Sequence, residues 1–560
     1  GNYNVAVGDE AGTAITTGDN NVFIGYTAGD AVTAASDNIG IGYNALGGAN
    51  TGAENVAIGS NALDANTSGV SNTAMGYNAL GANTTGSYNI GIGQSAGGAI
   101  TTGQKNTLMG FGAGDATTTA DNNTAVGYDA LTANTTGTRN VAVGALALDA
   151  NTTASNNTAV GYSAMSANTT GAGNQAFGDS ALAANTTAAN NTAMGNFAMS
   201  ANTTGFDNVA VGAIALDANT TGNSNTAVGY GSLSADTLGD RAVAIGKNAL
   251  IAQNFTSTTD NYNTAVGYGT GAAVTTGVNN TLIGGLAGDA TTTGTGNTAV
   301  GNESLGANTT GSDNVAIGKD ALDANTTADD NTAVGKSSLG SNTTGTQNVA
   351  VGRSALLANT TANDNTGVGY NALTANTTGT QNVAVGTSAL GTQTDGGLYN
   401  TAVGAYTLTD NTTGDSNTGI GRMALFENTT GGSNTSVGMN SMLDNTTGSS
   451  NTAVGESALA NNTTGASNVA VGKNSLAANT TASNNIAVGD SALLANTTAI
   501  NNIGIGVASL LVNTTGAENI AIGTSALRAN TTAANNTAVG VSALTANTEG
   551  TYNSGFGGRA

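Results

Sequence analysis

The sequence predicts an all-β fold, a parallel β-solenoid of 33 coils of about 17 residues each. Three observations predict it. A Gly recurs at a nearly constant spacing, a short aliphatic run precedes each of these Gly residues, and an Asn/Thr/Gly-rich stretch separates one run from the next.

The spacing comes first, because self-similarity decides the architecture of a repeat protein. The marker Gly falls at Gly8, Gly25, Gly42 and Gly59, and continues in steps of 17 to Gly246. One step of 21 leads to Gly267, and steps of 17 resume to Gly386. One step of 18 reaches Gly404, and steps of 17 then run to Gly557. The expected organisation is one continuous repeat domain: coils over 1–250, a small insertion over 251–263, and coils over 264–560.

A representative coil runs from Asn157 to Gly173, numbered here 1 to 17. Position 1 is nearly always Asn, 3 is small, 4 is Val, Ile or Met, and 5 is Gly; 8 is Ala and 9 is Leu or Met. Positions 12 to 15 usually read Asn-Thr-Thr-Gly or Asn-Thr-Thr-Ala, whereas 6, 16 and 17 vary. Seventeen residues cannot hold a helix pair, and Asn, Gly, Thr and Val are weak helix formers. Positions 1 to 5 therefore read as a strand, 8 to 11 as a second short strand, and 12 to 17 as the turn. Coils stacked at about 4.8 Å would give a rod on the order of 160 Å long.

Composition agrees. The 560 residues include 84 Gly, no Pro, no Cys, no His and no Trp, and the apolar 39% is mostly Ala, Val, Ile and Leu. Such small side chains suit backbone layers that lie close together rather than a thick globular core. Six coils carry Gly at position 9: Gly12, Gly29, Gly97, Gly114, Gly271 and Gly288. In these coils position 12 becomes Ile15, Val32, Ile100, Thr117, Val274 and Thr291. Volume lost at one site returns at the other, which makes 9 and 12 neighbours in a narrow interior. Val126, Val160, Met165, Leu182 and Val211 are the expected core. In Asn55-Val-Ala-Ile-Gly59, Val56 and Ile58 point one way and Ala57 the other, so both strand faces are apolar or small. One face packs within its coil, and the other calls for a cover that another copy of the chain can provide.

Charge narrows the function classes. Net charge is −23 with only 11 basic residues, which disfavours nucleic-acid binding. No stretch approaches 18 apolar residues, so no transmembrane helix is expected. Without Cys there are no disulfides or thiolate metal sites. The chain opens Gly1-Asn2-Tyr3 with neither Met nor a signal peptide, as expected of a processed chain or an internal segment. Without His or Cys there is no Ser-His or Cys-His unit and no imidazole metal site. Two carboxylates could still serve a glycosidase, but neither the Gln253 to Asp260 insertion nor the bend from Gln393 through Asp395 to Gly397 clusters acids. The expectation is no enzyme, no cofactor and no metal.

Candidate binding features each have a plainer structural explanation. The Asn rows at 1 and 12 read as stacked amide ladders, and the Asn168-Thr-Thr170 sequon is expected by chance in such a repeat. Thr at 13 and 14 could form ice-binding rows, but Thr also suits a half-exposed β position. Asp64, Asp149, Asp217 and Asp323, with Asp30, Asp115 and Asp289 in the Gly variants, share position 10. They could hold Ca²⁺ between coils, although solvated surface acids fit better. Position 6 holds Tyr26, Tyr43, Tyr77, Tyr128, Tyr162, Tyr230, Tyr268 and Tyr370, together with Lys247, Lys319, Lys336, Arg353, Arg422 and Lys473. An outward Tyr row could contact host-surface glycans or a protein partner.

Segments such as Asn55-Val-Ala-Ile-Gly59-Ser-Asn-Ala62 and Asn314-Val-Ala-Ile-Gly318-Lys-Asp-Ala321 resemble the head repeats of trimeric autotransporter adhesins, and they are similar to bacteriophage-type tail-fibre repeats. The likeness recurs in nearly every coil. It implies a left-handed parallel β-roll, a homotrimer, and adhesion to host or matrix. The expected function is a structural fibre or adhesin shaft of an extracellular, cell-surface or virion appendage, acting as a rigid spacer. The alternatives are a solenoid binder of ice, Ca²⁺ or glycan, and a polysaccharide-degrading tailspike.

Overall fold

The computed structural model describes residues 1–394 and 396–560. It is a parallel β-solenoid, all-β and without helices among the described residues. Two compact units divide it, Gly1–Asn279 and Asn280–Ala560. Each unit is built from the same rung, a three-residue strand such as Thr158–Val160 that pairs in parallel with its equivalents in the coils before and after. Register is strict: Thr158 lies opposite Val141 and Gln175, and Ala159 opposite Ala142 and Ala176.

Stacking extends well beyond the strand. The Thr158 N–H donates to the Asn174 carbonyl (2.8–2.9 Å in equivalent rungs), Met165 N–H to Ala181, Ala167 N–H to Ala183, and Thr169 N–H to Thr186. In the opposite sense, Gly161 N–H donates to Val143 and Gly173 N–H to Ser155. Backbone groups that a lone coil would leave unpaired are thus shared between neighbours, which makes the coil stable only within a stack.

Positions 8 to 11 are a turn rather than the expected second strand. Ser163 and Met165 adopt φ of 49° and 56°, and the same left-handed geometry recurs at 7 and 9 in coil after coil. A bulky Leu or Met in this conformation costs about 1–2 kcal/mol. Full burial of the side chain contributes about 1.5–3 kcal/mol, so burial wins by a small margin. Position 17 is also left-handed, as at Asn156, Asn190 and Asp207; Asn, Asp and Ser predominate there, but Tyr88, Lys105 and Arg139 hold the same φ. At position 5, Gly161 has φ of 143°, and a Cβ there would lie 2.3 Å from the Gly178 carbonyl oxygen of the next rung. Only Gly permits that approach.

The interior is assigned differently from the sequence expectation. Met165 and Leu182 are fully buried. Val126, Val160 and Val211, at position 4, are only half-buried on the outer face of the strand, and it is Ala125, Ala159 and Ala210 at position 3 that point inward. The cause is thickness: the space between strand and turn is filled by Ala at 3 and 8 and Leu at 9, leaving no room for a β-branched side chain. The other inward positions are polar, Asn at 1 and 12. Each coil core is half aliphatic and half amide.

The Gly-9 coils confirm that 9 and 12 are neighbours and add a third member. Position 3 becomes Phe23, Leu108 or Leu282 in three of them. A Cβ at Gly29 would meet Phe23 at 2.5 Å, at Gly114 it would meet Leu108 at 2.8 Å, and at Gly288 it would meet Leu282 at 2.9 Å. Positions 3, 9 and 12 share one volume. Gly29→Leu should therefore destabilise its coil by overpacking, on the order of 1–3 kcal/mol. The combined Phe23→Ala, Gly29→Leu and Val32→Asn change should recover most of that loss by recreating the common coil. Local hydrogen-exchange opening energies around residues 21–38 measure both; equal losses in the single and triple variants would contradict shared packing.

Candidate interaction surface

Two amides fasten each coil. The Asn157 and Asn168 Nδ2 groups both donate to the Gly171 carbonyl, at 2.9 and 3.0 Å. Asn168 Nδ2 also donates to Asn151 Oδ1 in the preceding coil (2.9 Å), and Asn185 Nδ2 donates to Asn168 Oδ1 (2.9 Å). Along position 1, the Asn174 backbone N–H donates to Asn157 Oδ1 (2.9 Å). The expected amide ladders are present, and they join strand to turn as well as coil to coil. Buried at both ends, these Asn side chains leave the sequon amide of Asn168 enclosed.

Breaks in the ladder locate the irregular coils. Asn83 Oδ1 has no partner because Ile100 stands where the next Asn would donate. Where extra residues enter, Gln replaces Asn at position 12. Gln393 Nε2 spans the longer turn to reach both Asn376 Oδ1 (3.2 Å) and the Gly397 carbonyl (2.7 Å). Asp395 in that bend lies outside the described residues. In the first insertion, Gln253 Nε2 donates to buried Asp236 Oδ2 (2.7 Å), and Gln253 Oε1 accepts from Asn263 Nδ2 (2.9 Å). The inserted chain forms a short strand, Thr259–Asp260, paired with Gly239–Asp240, and it buries Phe255. Arg241 forms an ion pair with Asp260 and donates to the Tyr262 hydroxyl (3.0 Å).

Outward rows come next. The eight position-6 tyrosines are all exposed, from 48% at Tyr26 to 59% at Tyr268. The structure brings together only those in adjacent coils. Tyr26 and Tyr43 stack with ring centroids 5.8 Å apart, and Tyr128 stacks on Phe111 at 5.4 Å. Lys247 lies over Tyr230 (5.8 Å) and Arg353 over Tyr370 (5.9 Å). Phe111 escaped sequence reasoning, although its step of 17 to Tyr128 would have found it. Asp129 beside Tyr128 pushes that phenol up. The Thr hydroxyls at position 13 are engaged, since Thr169 Oγ1 donates to the Thr186 carbonyl (3.1 Å). Only position 14, as at Thr170, is fully outward.

The position-10 acids are not simply solvated. Burial raises the carboxyls of Asp64, Asp115, Asp149, Asp217, Asp289 and Asp323 above their ordinary value, because position 10 lies in the bend beside its neighbours at 7. Among the described residues no three acids group as a metal site would require. No helix of the described residues is long and apolar enough to cross a membrane.

Between positions 1 and 5, the outer face of the sheet is a strip made mostly of β-branched residues, interrupted by Met75, Met109, Phe177 and Met194. Ile317 is 39% exposed, Val349 36% and Val351 37%, and each rung repeats the pattern. No family model matches the chain, and no curated protein or solved structure matches it.

Two tests address the ladder. Asn168→Ala removes a donor from Asn151 Oδ1, an acceptor from Asn185 and one of two donors to Gly171. With about 1–3 kcal/mol for each buried group left unpaired, opening energies read by hydrogen exchange over residues 151–190 should fall by roughly 2–4 kcal/mol. Asp236 supplies the second. Burial raises its carboxyl above the ordinary value, against the lowering effect of Gln253 and Gly239. The folded state therefore takes up the proton first, and local stability rises as pH falls through the raised folded value toward the unfolded value of about 3.9. Asp236→Asn should open less readily than the parent at pH 7 and lose that pH dependence, measured by exchange over residues 225–263 as pH is lowered from 8 toward the unfolded value of about 3.9.

Proposed function

We propose that this chain is a structural segment of a fibre or adhesin shaft, on an extracellular or virion appendage, in which parallel copies pack side by side. The observation that carries this reading is the outer aliphatic strip. At nearly every rung two apolar or Thr side chains at positions 2 and 4 face outward, and in the second unit position 4 is Val or Ile at every rung from Ile283 to Val539. Contiguous apolar surface on that scale marks an interaction site rather than ordinary solvated surface. A repeating strip calls for a partner with the same repeat, and a second copy has it. Three chains is the number that the resemblance to trimeric autotransporter heads implies. Within each unit the shared backbone bonds and amide ladders supply stiffness, which suits a spacer. The exposed position-6 residues are the attachment surface of this reading, offered to a glycan or protein on a host.

Light scattering on the full chain tests it. The expected mass is about three times the 53.8 kDa of one chain. Replacing outward Val349 and Val351 by Thr together should promote dissociation while leaving far-ultraviolet circular dichroism unchanged. A parent chain that stays monomeric at micromolar concentration would contradict the proposal.

A further inference from the structure

The strip in the second unit is edged by opposite charges. Position 6, at one end of the strand, carries Lys319, Lys336 and Arg353 in three consecutive coils. No other three consecutive coils in the chain have cations there. Position 17, at the other end, carries Asp313, Asp330 and Asp364 in the same stretch. In residues 280–560 the only other acid at position 17 is Glu518. All six residues are exposed.

Their placement follows from register. Val315, Thr332 and Val349 lie opposite one another in the sheet, so the three cations stand on successive rungs at about 4.8 Å spacing. Like charges directly opposite are unfavourable in a sheet, and the chain relieves them only in part. Lys319 Nζ holds Asp320 Oδ1 (2.9 Å), and Arg353 lies over the Tyr370 ring. Lys336 has no ion pair among the described residues. The acid edge is no help, because six residues of extended chain place it on the order of 15–20 Å away, beyond the screening length of about 8 Å at physiological salt.

We infer that residues 313–364 form a charge-matched self-recognition zone: the Lys319–Lys336–Arg353 edge of one copy docks on the Asp313–Asp330–Asp364 edge of a parallel neighbour in the same register. This rests on the side-by-side assembly proposed above and adds what sets its direction and register. Rotation about an axis parallel to the stack brings the position-6 edge of one copy to the position-17 edge of the next at the same rung. Lys319 then meets the level of Asp313 and Lys336 the level of Asp330, while Asp364 stands one rung beyond Arg353. A copy turned end over end instead brings cations to cations. The aliphatic strip repeats every rung and cannot tell one register from another; the charged zone can.

The test uses the full chain and three variants: Lys319→Glu with Lys336→Glu and Arg353→Glu; Asp313→Lys with Asp330→Lys and Asp364→Lys; and all six together. Circular dichroism checks that each folds, which exposed positions permit. By sedimentation equilibrium each triple variant should associate at least tenfold more weakly than the parent, and the sixfold reversal should return to within about threefold. High salt should weaken the parent and the sixfold variant alike. Triple variants that associate like the parent, or a sixfold variant no better than the triples, would overturn the charge-matched zone while leaving the assembly itself intact. A monomeric parent would overturn both, and a monomer that captures dextran sulfate through Lys336 would assign the cation run to a polyanion instead.

Discussion

The structure depends on one recurring convergence: two buried Asn amides, at positions 1 and 12, meeting on the carbonyl at position 15. A coil of this width has little aliphatic mass, since only Ala at 3 and 8 and one Leu at 9 fill it. Hydrophobic burial of that size is nearly matched by the strain of holding Leu at positive φ. The amides supply what the small core lacks. Each satisfies a turn carbonyl within its own coil and a side-chain or backbone group in a neighbour, so strand, turn and stack are tied by the same atoms. Because the donors run in one sense along each ladder, every bond polarises the next.

That constraint explains the exceptions as well as the rule. Where Gly replaces Leu at 9, Ile, Val or Thr replaces Asn at 12, and at Ile100 the interior exchanges an amide for bulk at the cost of an unpaired oxygen on Asn83. Where the chain lengthens, Gln stands in for Asn, its extra methylene spanning the added residue at Gln393. Asp236 accepts from Gln253 but has no proton to pass on, so the ladder ends there beside the insertion.

Much of this was legible in the residues. The period, the parallel stack, the amide ladders and the pairing of 9 with 12 all follow from fixed spacing, because each coil is an independent repetition of the same experiment. What was not legible is direction. Val126, Val160 and Val211 are more hydrophobic than Ala125, Ala159 and Ala210, yet the alanines face inward, because alternation fixes two faces without saying which is enclosed. The left-handed turn at 7 to 9 was hidden for a related reason: Leu is a poor indicator of positive φ, and only the Gly substitutions at 9 hinted at it. The Tyr row was correctly read as outward, but pairing between adjacent coils, as in Phe111 with Tyr128, required counting aromatics of both kinds.

The valines thereby move from core to half-exposed outer face, and the proposed fibre role rests on that reversal. It stands only if the Asn turn belongs to the stack as firmly as the strand does. Residue-resolved hydrogen exchange on the full chain measures this most directly. The position-13 Thr amides, such as Thr169 and Thr186, should be protected as strongly as the strand amides of Thr158 and Gln175, repeating every 17 residues. Protection confined to the three-residue strands, with the Asn-Thr-Thr turns exchanging freely, would contradict it.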